Sequence, residues 1–319
     1  MTNFWKTLPK PFLVLAPMED VTDVVFREIV SQTAAPDVYF TEFTNTDGLF
    51  SKGGEKVIRS FRYTENQRPV VAQIWGTNPE TFLKAGKLVH ELKFDGIDIN
   101  FGCPEKNVIK KSGGAGIIKD LKLAKQLINA TRQGAENIPL SVKTRIGLDK
   151  VITDEWVSFL LEQNLNALII HGRTAKEMSK VPAHWDEIAK AVKLRNKIAP
   201  ETLIIGNGDV KNYFEATEKY KEFGVDGVMI GRGIFSNPWA FEKTKIQHTT
   251  KERIDLLLKH TKLYNDTWKD TKNFDTIKRF FKVYVSGFRG ADDLRQALML
   301  CKNYEQVEKT IAKWPITFI

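Results

Sequence analysis

Short apolar, β-branched runs alternate with amphipathic stretches along the first three quarters of the chain. Eight of these runs predict strands, at residues 12–18, 38–43, 69–76, 96–100, 140–145, 167–171, 203–206 and 227–230. Most of them are apolar nearly throughout, which is typical of parallel strands buried on both faces. The segments between them, such as 80–92 and 121–133, carry apolar residues at three- and four-residue spacing, which predicts helices.

Eight strand–helix units within about 240 residues indicate an α/β fold of the TIM (β/α)8 barrel type. The alternative is a doubly wound open sheet, which places a glycine-rich dinucleotide turn after its first strand. Here the first predicted strand runs instead into Ala-Pro-Met-Glu-Asp at residues 16–20. The barrel is therefore the predicted architecture.

The strand pattern stops after residue 241, and the remaining sequence has helical character. Thr249-x-x-Glu252 predicts a capping box at a helix start, and apolar positions recur at helical spacing over residues 256–263. We therefore predict two domains, a catalytic barrel over residues 1–243 and a small helical domain over residues 244–319.

The predicted helical domain is distinctly basic, which indicates the kind of partner that it binds. The 319 residues include 48 Lys+Arg and 39 Asp+Glu, a net charge of +9. Residues 244–319 hold 15 of the basic and nine of the acidic residues, so this domain carries most of the excess. A basic module favours a polyanionic partner such as nucleic acid, although a lysine-rich helix face can also be merely solvated.

The remaining composition narrows the class of protein. At 42% hydrophobic and 27% charged residues, the chain has the composition of an ordinary globular protein. Two cysteines suit a reducing compartment, and no apolar run has the length of a signal peptide or a membrane span, so we expect a cytoplasmic protein without membrane contact. The five histidines are scattered without metal-ligand spacing, so we expect no metal site.

A barrel of this type places its active site at the carboxyl ends of its strands. Polar residues that are unusual for buried strands collect at those ends, namely Met18, Glu19, Gln73, Asn100, Cys103, Lys143, Arg145, His171, Arg173, Asn207, Asp209 and Arg232. We expect them to line one rim.

The loops after the last two predicted strands suggest a phosphate site. Residues 206–209 read Gly-Asn-Gly-Asp and residues 231–233 read Gly-Arg-Gly. Glycines let backbone N–H groups approach phosphate oxygens, and Arg232 can contact two oxygens at once. Barrels of this class often hold phosphate at this position.

Lys143 and Arg145 lie two residues apart on one strand, so both point into the predicted barrel mouth. Buried cations need an anionic or electron-rich partner. A phosphorylated cofactor whose ring gains electrons, such as a flavin, would supply one, and pairing with Asp98 or Glu42 inside the barrel is the alternative.

The two cysteines lie in different contexts. Cys103 follows a strand, in a loop with Pro104 at the predicted catalytic face, so it could act as a nucleophile or as a general acid toward a carbon atom. Cys301, beside Met299 and Leu300 on a predicted helix, fits a small buried apolar residue.

Taken together, the motifs resemble those of the tRNA-dihydrouridine synthases. The segments that carry this resemblance are 16–23 (APMEDVTD), 100–104 (NFGCP), 142–147 (VKTRIG), 171–174 (HGRT), 207–209 (NGD) and 231–233 (GRG), in that order. The resemblance covers residues 12–243 and, more loosely, the helical domain.

The resemblance implies a specific chemistry. Members of the family hold FMN at the barrel mouth, reduce it with NADPH and transfer hydride to C6 of a uridine in the tRNA D-arm, while a cysteine protonates C5. The corresponding proton donor is Cys103, and Asn100 and Arg145 correspond to the residues that hold the uracil edge. The residues that correspond to the flavin site are Ala16, Pro17, Met18, Gln73, Lys143, His171, Asn207, Gly208, Asp209, Gly231 and Arg232.

A tRNA substrate accounts for the basic domain, and we expect a monomer that binds tRNA. Lys278 and Lys282 are the predicted phosphate contacts in the segment 276–289. Phe280, Tyr284 and Phe288 recur there every four residues, which favours a core-facing row over a platform for stacking bases.

One loop departs from the family pattern. After residues 171–174 many members continue with Tyr-x-Gly before Ala-x-x-Trp, whereas here only Ala183 and Trp185 echo this pattern. The sequence therefore does not determine which uridine is modified. It also leaves ribosomal RNA as an alternative to a tRNA substrate. Three further functions compete with this interpretation, namely an FMN-dependent reductase of a free pyrimidine, an RNA-binding protein without catalysis, and a sugar-phosphate lyase or isomerase.

Overall fold

The computed structural model describes residues 3–314 and contains a closed parallel barrel. Its strands are β1 (Phe12–Leu15), β2 (Tyr39–Phe40), β3 (Thr44–Asn45), β4 (Val70–Trp75), β5 (Gly96–Phe101), β6 (Leu140–Arg145), β7 (Ala167–His171), β8 (Leu203–Asn207) and β9 (Gly227–Ile230). Every pairing is parallel, in the order β1-β9-β8-β7-β6-β5-β4-β2, and a bridge between Val14 and Val38 closes the ring. The predicted TIM barrel is confirmed.

The second predicted strand is divided into two short strands, and a side chain explains the break. Both β2 and β3 pair with β4, on either side of Thr41. The Thr41 hydroxyl accepts the backbone N–H of Gln73 at 3.0 Å, which replaces a carbonyl acceptor of the regular ladder. β2 and β3 therefore serve as one stave, and the barrel has the eight staves that the sequence predicts.

Helices follow the strands on the outside of the barrel. They are α1 (Val24–Ser31), α2 (Thr46–Leu49), α3 (Gly54–Val57), α4 (Pro79–Glu91), α5 (Lys106–Lys110), α6 (Leu121–Ala135), α7 (Thr153–Leu161), α8 (Trp185–Ile198) and α9 (Tyr213–Phe223). The helices after β9 are α10 (Thr250–Trp268), α11 (Phe281–Tyr284), α12 (Ala291–Met299) and α13 (Tyr304–Ala312). The predicted capping box of Thr249 and Glu252 is present at the start of α10.

Two apolar clusters hold the barrel together. The smaller one fills its interior, where alternate residues such as Phe12, Val14 and Ile169 point inward. Trp5, just before β1, packs against Phe12 and fills the end at which the strands begin. The opposite end, where the strands finish, is thus the end available for a ligand.

The larger apolar cluster continues from the barrel helices into the C-terminal helices. Phe280 stacks on Phe26 of α1 with ring centroids 5.0 Å apart, and Trp268 Nε1 donates to Asp23 Oδ2 at 2.9 Å. Asp23 also caps the N-terminus of α1. Barrel and helical region therefore share packed surface as well as hydrogen bonds.

The aromatic row of residues 280–288 faces the core for the most part. Phe280 and Tyr284 are buried and Phe288 is half-buried, as the spacing predicts. The segment is not one helix, however, because a 3-10 helix (Phe274–Phe280) leads into the short α11. Among the described residues, no helix is long and apolar enough to span a membrane.

Removing an aromatic ring from the shared interface should destabilise the whole molecule. We expect Phe280→Ala to lower the free energy of unfolding by about 3–5 kcal/mol, because it leaves a cavity against Phe26. Chemical denaturation followed by circular dichroism measures this, with Phe288→Ala as the control that costs less. A separate early transition that leaves the barrel transition unchanged would show instead that the helices unfold on their own.

Candidate active site

A cavity of about 670 Å³ opens at the carboxyl ends of the strands. It lies where a barrel of this class places its chemistry. The predicted site residues that line it are Ala16, Pro17, Met18, Asn100, Cys103, Lys143, Arg145, His171, Asn207, Gly208, Asp209, Gly231 and Arg232. The structure thus brings six strand ends together around one space.

Gln73, one of the predicted flavin contacts, is buried next to the cavity and is not among its lining residues. Its side chain is 0% exposed and does not line the cavity. Its Nε2 donates to Asp98 Oδ2 at 2.8 Å, and its Oε1 accepts from Asn100 Nδ2 at 3.0 Å. Gln73 therefore lies one layer below the cavity wall, with both ends of its amide engaged by protein.

The loop that carries Cys103 is folded by the side chain of Asn100. Asn100 Oδ1 accepts the backbone N–H groups of Gly102 and Cys103, each at 2.9 Å, in an Asx turn. Gly114 packs against this loop with φ +53°, and a Cβ there would lie 2.9 Å from Cys103 Cβ. Only glycine fits that close approach, which explains the glycine-rich run after the cysteine motif.

The Cys103 thiol is half-buried on the cavity wall. Burial raises the pKa of Cys103, and the nearby Glu105 charge adds to the rise, while Arg145 acts against it. A thiol with a raised pKa keeps its proton at neutral pH. The group is therefore suited to give a proton rather than to attack as a thiolate.

Lys143 is a half-buried cation on the cavity floor. Its Nζ donates to Asn207 Oδ1 at 3.2 Å, and Asn207 in turn donates to the Met229 carbonyl at 2.9 Å. Within residues 3–314 Lys143 makes no ion pair, so the expected alternative of pairing with Asp98 or Glu42 is not found. Burial lowers the pKa of Lys143 to about 8, helped by the charge of Arg145.

Arg145 connects the cysteine loop to the loop after β7. Its Nε donates to the Gly102 carbonyl at 2.8 Å, and its Nη1 donates to the carbonyls of Thr174 at 3.0 Å and Met178 at 3.3 Å. Burial lowers the pKa of Arg145 to about 10, so the guanidinium stays charged at neutral pH. Nη2 has no hydrogen-bond partner in the described part of the chain and is left for a ligand.

Asp209 lies between two arginines on the rim. Its carboxylate pairs with Arg173 Nη2 and, at 3.4 Å, with Arg232 Nη2. Although burial acts against it, the hydrogen bond from Arg173 holds the pKa of Asp209 below its ordinary value. Asp209 therefore orients guanidinium groups and does not itself offer a donor to an anion.

His171 is held neutral beside these arginines. Burial lowers its pKa well below the ordinary value, and the charges of Arg145 and Lys143 lower it further. Its Nε2 lies 3.2 Å from Arg173 Nη1. A neutral ring that accepts at Nε2 carries its proton on Nδ1, so His171 can still donate one hydrogen bond.

The loop after β8 is supported by Ala183 and Trp185, the two residues that echo the family pattern in the segment 175–185. Gly208 has φ +136°, and a Cβ there would lie 2.6 Å from Ala183 Cβ. Trp185 Nε1 donates to the Gly208 carbonyl at 3.0 Å. Ala183 and Trp185 thus shape the predicted phosphate loop.

The residues present fit a flavin mononucleotide by charge and shape. Glycine loops and the exposed guanidinium of Arg232 suit a phosphate at one end of the cavity. Met18 and Met229 provide apolar wall, and the unpaired ammonium of Lys143 suits an electron-rich ring edge.

Some lining residues were not assigned a role from the sequence. They are Phe43, Gly102, Pro104, Val210, Lys211, Met229, Gly233 and Ser236, whereas Arg173 was expected at the rim and lies there. Most follow a strand end within a few positions, so the strand-end rule could have found them. Among the described residues, no group of three or more His, Cys, Asp or Glu side chains could hold a metal ion.

The two predicted phosphate contacts of the helical region differ in exposure. Lys278 is 6% exposed, and its Nζ donates to the Met299 carbonyl at 2.7 Å and pairs with Asp275 at 2.6 Å. Its charge is used inside the molecule, which corrects the expectation for this residue. Lys282 on α11 is exposed, as is Arg289 nearby.

Comparison with known proteins decides the family. Residues 14–316 match the family model described as Dihydrouridine synthase (Dus). This chain belongs to the dihydrouridine synthase family. The resemblance predicted from the motifs is thereby confirmed.

Full-length relatives agree with this assignment. The chain is 49% identical over 302 residues to a protein of Staphylococcus aureus (strain COL) named probable tRNA-dihydrouridine synthase, which covers 93% of this chain and 91% of that protein. It is 46% identical over 308 residues to probable tRNA-dihydrouridine synthase 2 of Bacillus subtilis (strain 168), covering 96% and 94%. Among solved structures, morphinone reductase superposes with a TM-score of 0.52 at 12% identity, over 74% of this chain and 86% of that one, which supports the barrel fold alone.

The pH dependence of alkylation should report the raised pKa of Cys103. We expect its reaction with iodoacetamide to keep rising about tenfold per pH unit from pH 7 to 9, since only the thiolate reacts. Peptide mass spectrometry measures this rate, with the buried Cys301 as an internal control that stays unmodified. A plateau below pH 8 would contradict the assignment of a protonated thiol.

Proposed function

We propose that this chain is a tRNA-dihydrouridine synthase that reduces the C5=C6 bond of a D-arm uridine, with FMN as its cofactor and NADPH as the reductant. The observation that carries the proposal is the position of Cys103, whose pKa burial raises, on the wall of a cavity whose floor holds Lys143 without an ion-pair partner in the described chain. The two relatives described above are named as probable tRNA-dihydrouridine synthases, which supports the proposal. The expectations of a cytoplasmic location and of a monomer belong to the same proposal.

Residues at both ends of the cavity would hold the cofactor. Arg232 and the backbone N–H groups of the loops 206–209 and 231–233 would bind its phosphate. Asp209 would keep the arginines of the rim oriented. Lys143 would balance negative charge on the ring edge, while His171 would donate through Nδ1.

The flavin residues proposed from the family include the β1 end, where Ala16, Pro17 and Met18 form wall. Once reduced by NADPH, a bound FMN would supply the hydride that adds to C6 of uracil. Cys103 would give its Sγ proton to C5, so that one hydride and one proton together saturate the bond. The thiolate then regains a proton from solvent, and charge is conserved over the turnover.

The uracil edge would be held beside the thiol. Arg145 has Nη2 free within the described chain, and Asn100 lines the same wall. The target base must leave the folded RNA to reach this depth, as enzymes that act on bases generally require. The exposed cations Lys282 and Arg289 would meet RNA phosphates outside the cavity.

Removing the thiol should block uridine reduction and spare reduction of the flavin. We expect anaerobic NADPH to bleach the flavin absorbance of both the wild type and Cys103→Ala. Unmodified tRNA should then restore it about 10²–10⁴-fold more slowly in the variant, because the general acid is lost. Stopped-flow absorbance measures both half-reactions, and Cys301→Ala is the matched control.

Four outcomes of that experiment would count against the proposal. Undiminished reoxidation by tRNA in Cys103→Ala would remove the general-acid role. Reoxidation by a free pyrimidine and not by tRNA would favour a small-molecule reductase, and reoxidation by ribosomal RNA would change the substrate. A purified protein that takes up no flavin, even when FMN is added, would overturn the cofactor assignment.

Charge reversal on the helical region should weaken tRNA binding in a salt-dependent way. We expect the double variant Lys282→Glu/Arg289→Glu to bind tRNA about tenfold more weakly and to reduce the slope of log affinity against log salt by about 1–2, because two phosphate contacts are lost. Filter binding at several salt concentrations measures this, and NADPH oxidation should not change.

The matched control is the double variant Lys122→Glu/Lys125→Glu, which reverses two exposed lysines on α6 of the barrel. An equal loss of affinity in this control would mean that the effect follows net charge. An unchanged affinity in the double variant would make the exposed cations of residues 282–289 irrelevant to RNA binding.

A further inference from the structure

A chain of buried amides connects the barrel interior to the cysteine loop. Asp98 accepts from Ser141 Oγ at 2.6 Å and from Gln73 Nε2 at 2.8 Å. Gln73 Oε1 accepts from Asn100 Nδ2 at 3.0 Å, and Asn100 Oδ1 accepts the N–H groups of Gly102 and Cys103. We propose that Gln73 and Asp98 are positioning residues, which orient Asn100 and through it hold the Cys103 thiol at the cavity wall.

The strand register brings these residues together. Gln73 on β4 is paired with Asp98 on β5, and Asp98 is paired with Ser141 on β6. Since alternate residues of a strand share a face, Asn100 and Lys143 lie on the next inward level toward the mouth. The polar layer thus lies directly beneath the residues that line the cavity.

This polar layer is unusual for a barrel interior because its side chains are fully buried. Gln73, Asp98 and Ser141 are all 0% exposed, in a barrel whose interior is otherwise filled by apolar side chains such as Val71 and Ile169. Apolar residues of similar volume would fill the same space without needing partners. A fully satisfied polar network in such a place instead selects one arrangement of its members.

The hydrogen bonds have a fixed direction that ends at Cys103. An ionised carboxylate only accepts, so Gln73 must turn its amino group to Asp98 and its oxygen to Asn100. Asn100 must then present its amino group to Gln73 and its own oxygen to the two backbone N–H groups. Turning any one amide round would bring two donors or two acceptors face to face in a buried site.

Protonation of Asp98 does not reverse this direction. Burial raises its pKa to about 7, while the hydrogen bonds from Ser141 and Gln73 and the charge of Lys143 act against that rise. In the neutral form, a proton on Oδ1 can be donated to the Ser141 hydroxyl, which is able to accept. Oδ2 then still accepts from Gln73, so the orientation holds in both protonation states.

The role in catalysis rests on the proposed function, but the position of the thiol can be measured without it. In Gln73→Met the unbranched side chain keeps its length and loses both hydrogen bonds, so the amide of Asn100 is no longer oriented. Gln73→Asn is a second variant, which stays polar but is too short to reach both Asp98 and Asn100. In Asp98→Asn, the amide oxygen can still accept from Gln73 and the amino group can face Ser141.

The matched control is Gln67→Met. Gln67 is also 0% exposed, and it accepts from Arg27 at 2.9 Å and donates to the Val24 carbonyl at 3.0 Å, away from the cysteine loop. Its replacement breaks a buried amide network of the same kind. Any general loosening of the barrel should therefore appear in this control as well.

The first readout is the rate at which iodoacetamide alkylates Cys103, followed by peptide mass spectrometry at constant pH. We expect both Gln73 variants to react several-fold faster than the wild type, because the half-buried thiol is released from its position. Asp98→Asn and Gln67→Met should react at the wild-type rate. The second readout is single-turnover reoxidation by tRNA, which should slow about 10- to 100-fold in the Gln73 variants with unchanged tRNA affinity.

Several results would overturn the positioning role. One is unchanged alkylation in both Gln73 variants, another is an equal change in Gln67→Met, and a third is faster alkylation with undiminished reoxidation by tRNA. Slower reduction by NADPH with unchanged alkylation would show instead that Gln73 acts on the cofactor. If the wild type does not reduce uridine at all, the proposed function fails, while the alkylation rates still decide whether Gln73 positions Cys103.

Discussion

Lys143 and Arg145 are cationic residues of β6 whose side chains line the cavity, and their charges determine the electrostatics of the rest of the site. Neither makes an ion pair among residues 3–314, and burial lowers the pKa of both. Their desolvation is offset by neutral acceptors, namely the Asn207 amide and the carbonyls of Gly102, Thr174 and Met178. A neutral acceptor compensates a buried charge only in part, so the cavity favours a ligand that brings negative charge.

The same positive field determines the state of the neighbouring groups. Burial, helped by this field, keeps His171 neutral, and Arg173 holds Asp209 ionised, so the rim contains one defined donor and a row of oriented guanidinium groups. At Cys103 the desolvation of the thiol outweighs the attraction of Arg145, and the proton is retained. The cavity therefore combines cations that suit a negatively charged ligand with a thiol that keeps its proton.

Some residues of the site are positioned by strands, and Cys103 is positioned by a loop. Lys143 and Arg145 belong to β6, and Asn100 belongs to β5, so their backbone is fixed by the parallel ladder. Cys103 is on a loop, and it depends on the Asx turn of Asn100 and on the close approach of Gly114. Loops of this kind are precise only when a buried layer supports them, which is the part that Gln73 and Asp98 fill in our proposal.

The sequence by itself determined the barrel, the end of it that holds the site and the family. Apolar runs of strand length and their alternation with amphipathic segments are local properties, and so are the motifs around Cys103, Lys143 and Arg232. Period-two alternation also gives the inward direction of Lys143 and Arg145 correctly.

Only the tertiary structure decided which polar groups are free to bind. Gln73 and Lys278 carry the right chemistry for a ligand, yet the first bonds Asp98 and Asn100 below the cavity, and the second bonds Asp275 and the Met299 carbonyl. The partners of Gln73 come from a neighbouring strand, and the carbonyl that engages Lys278 belongs to the end of α12. Spacing along the chain predicts the face from which a side chain emerges. Whether that side chain stays available depends on groups that the fold brings to it from elsewhere in the sequence.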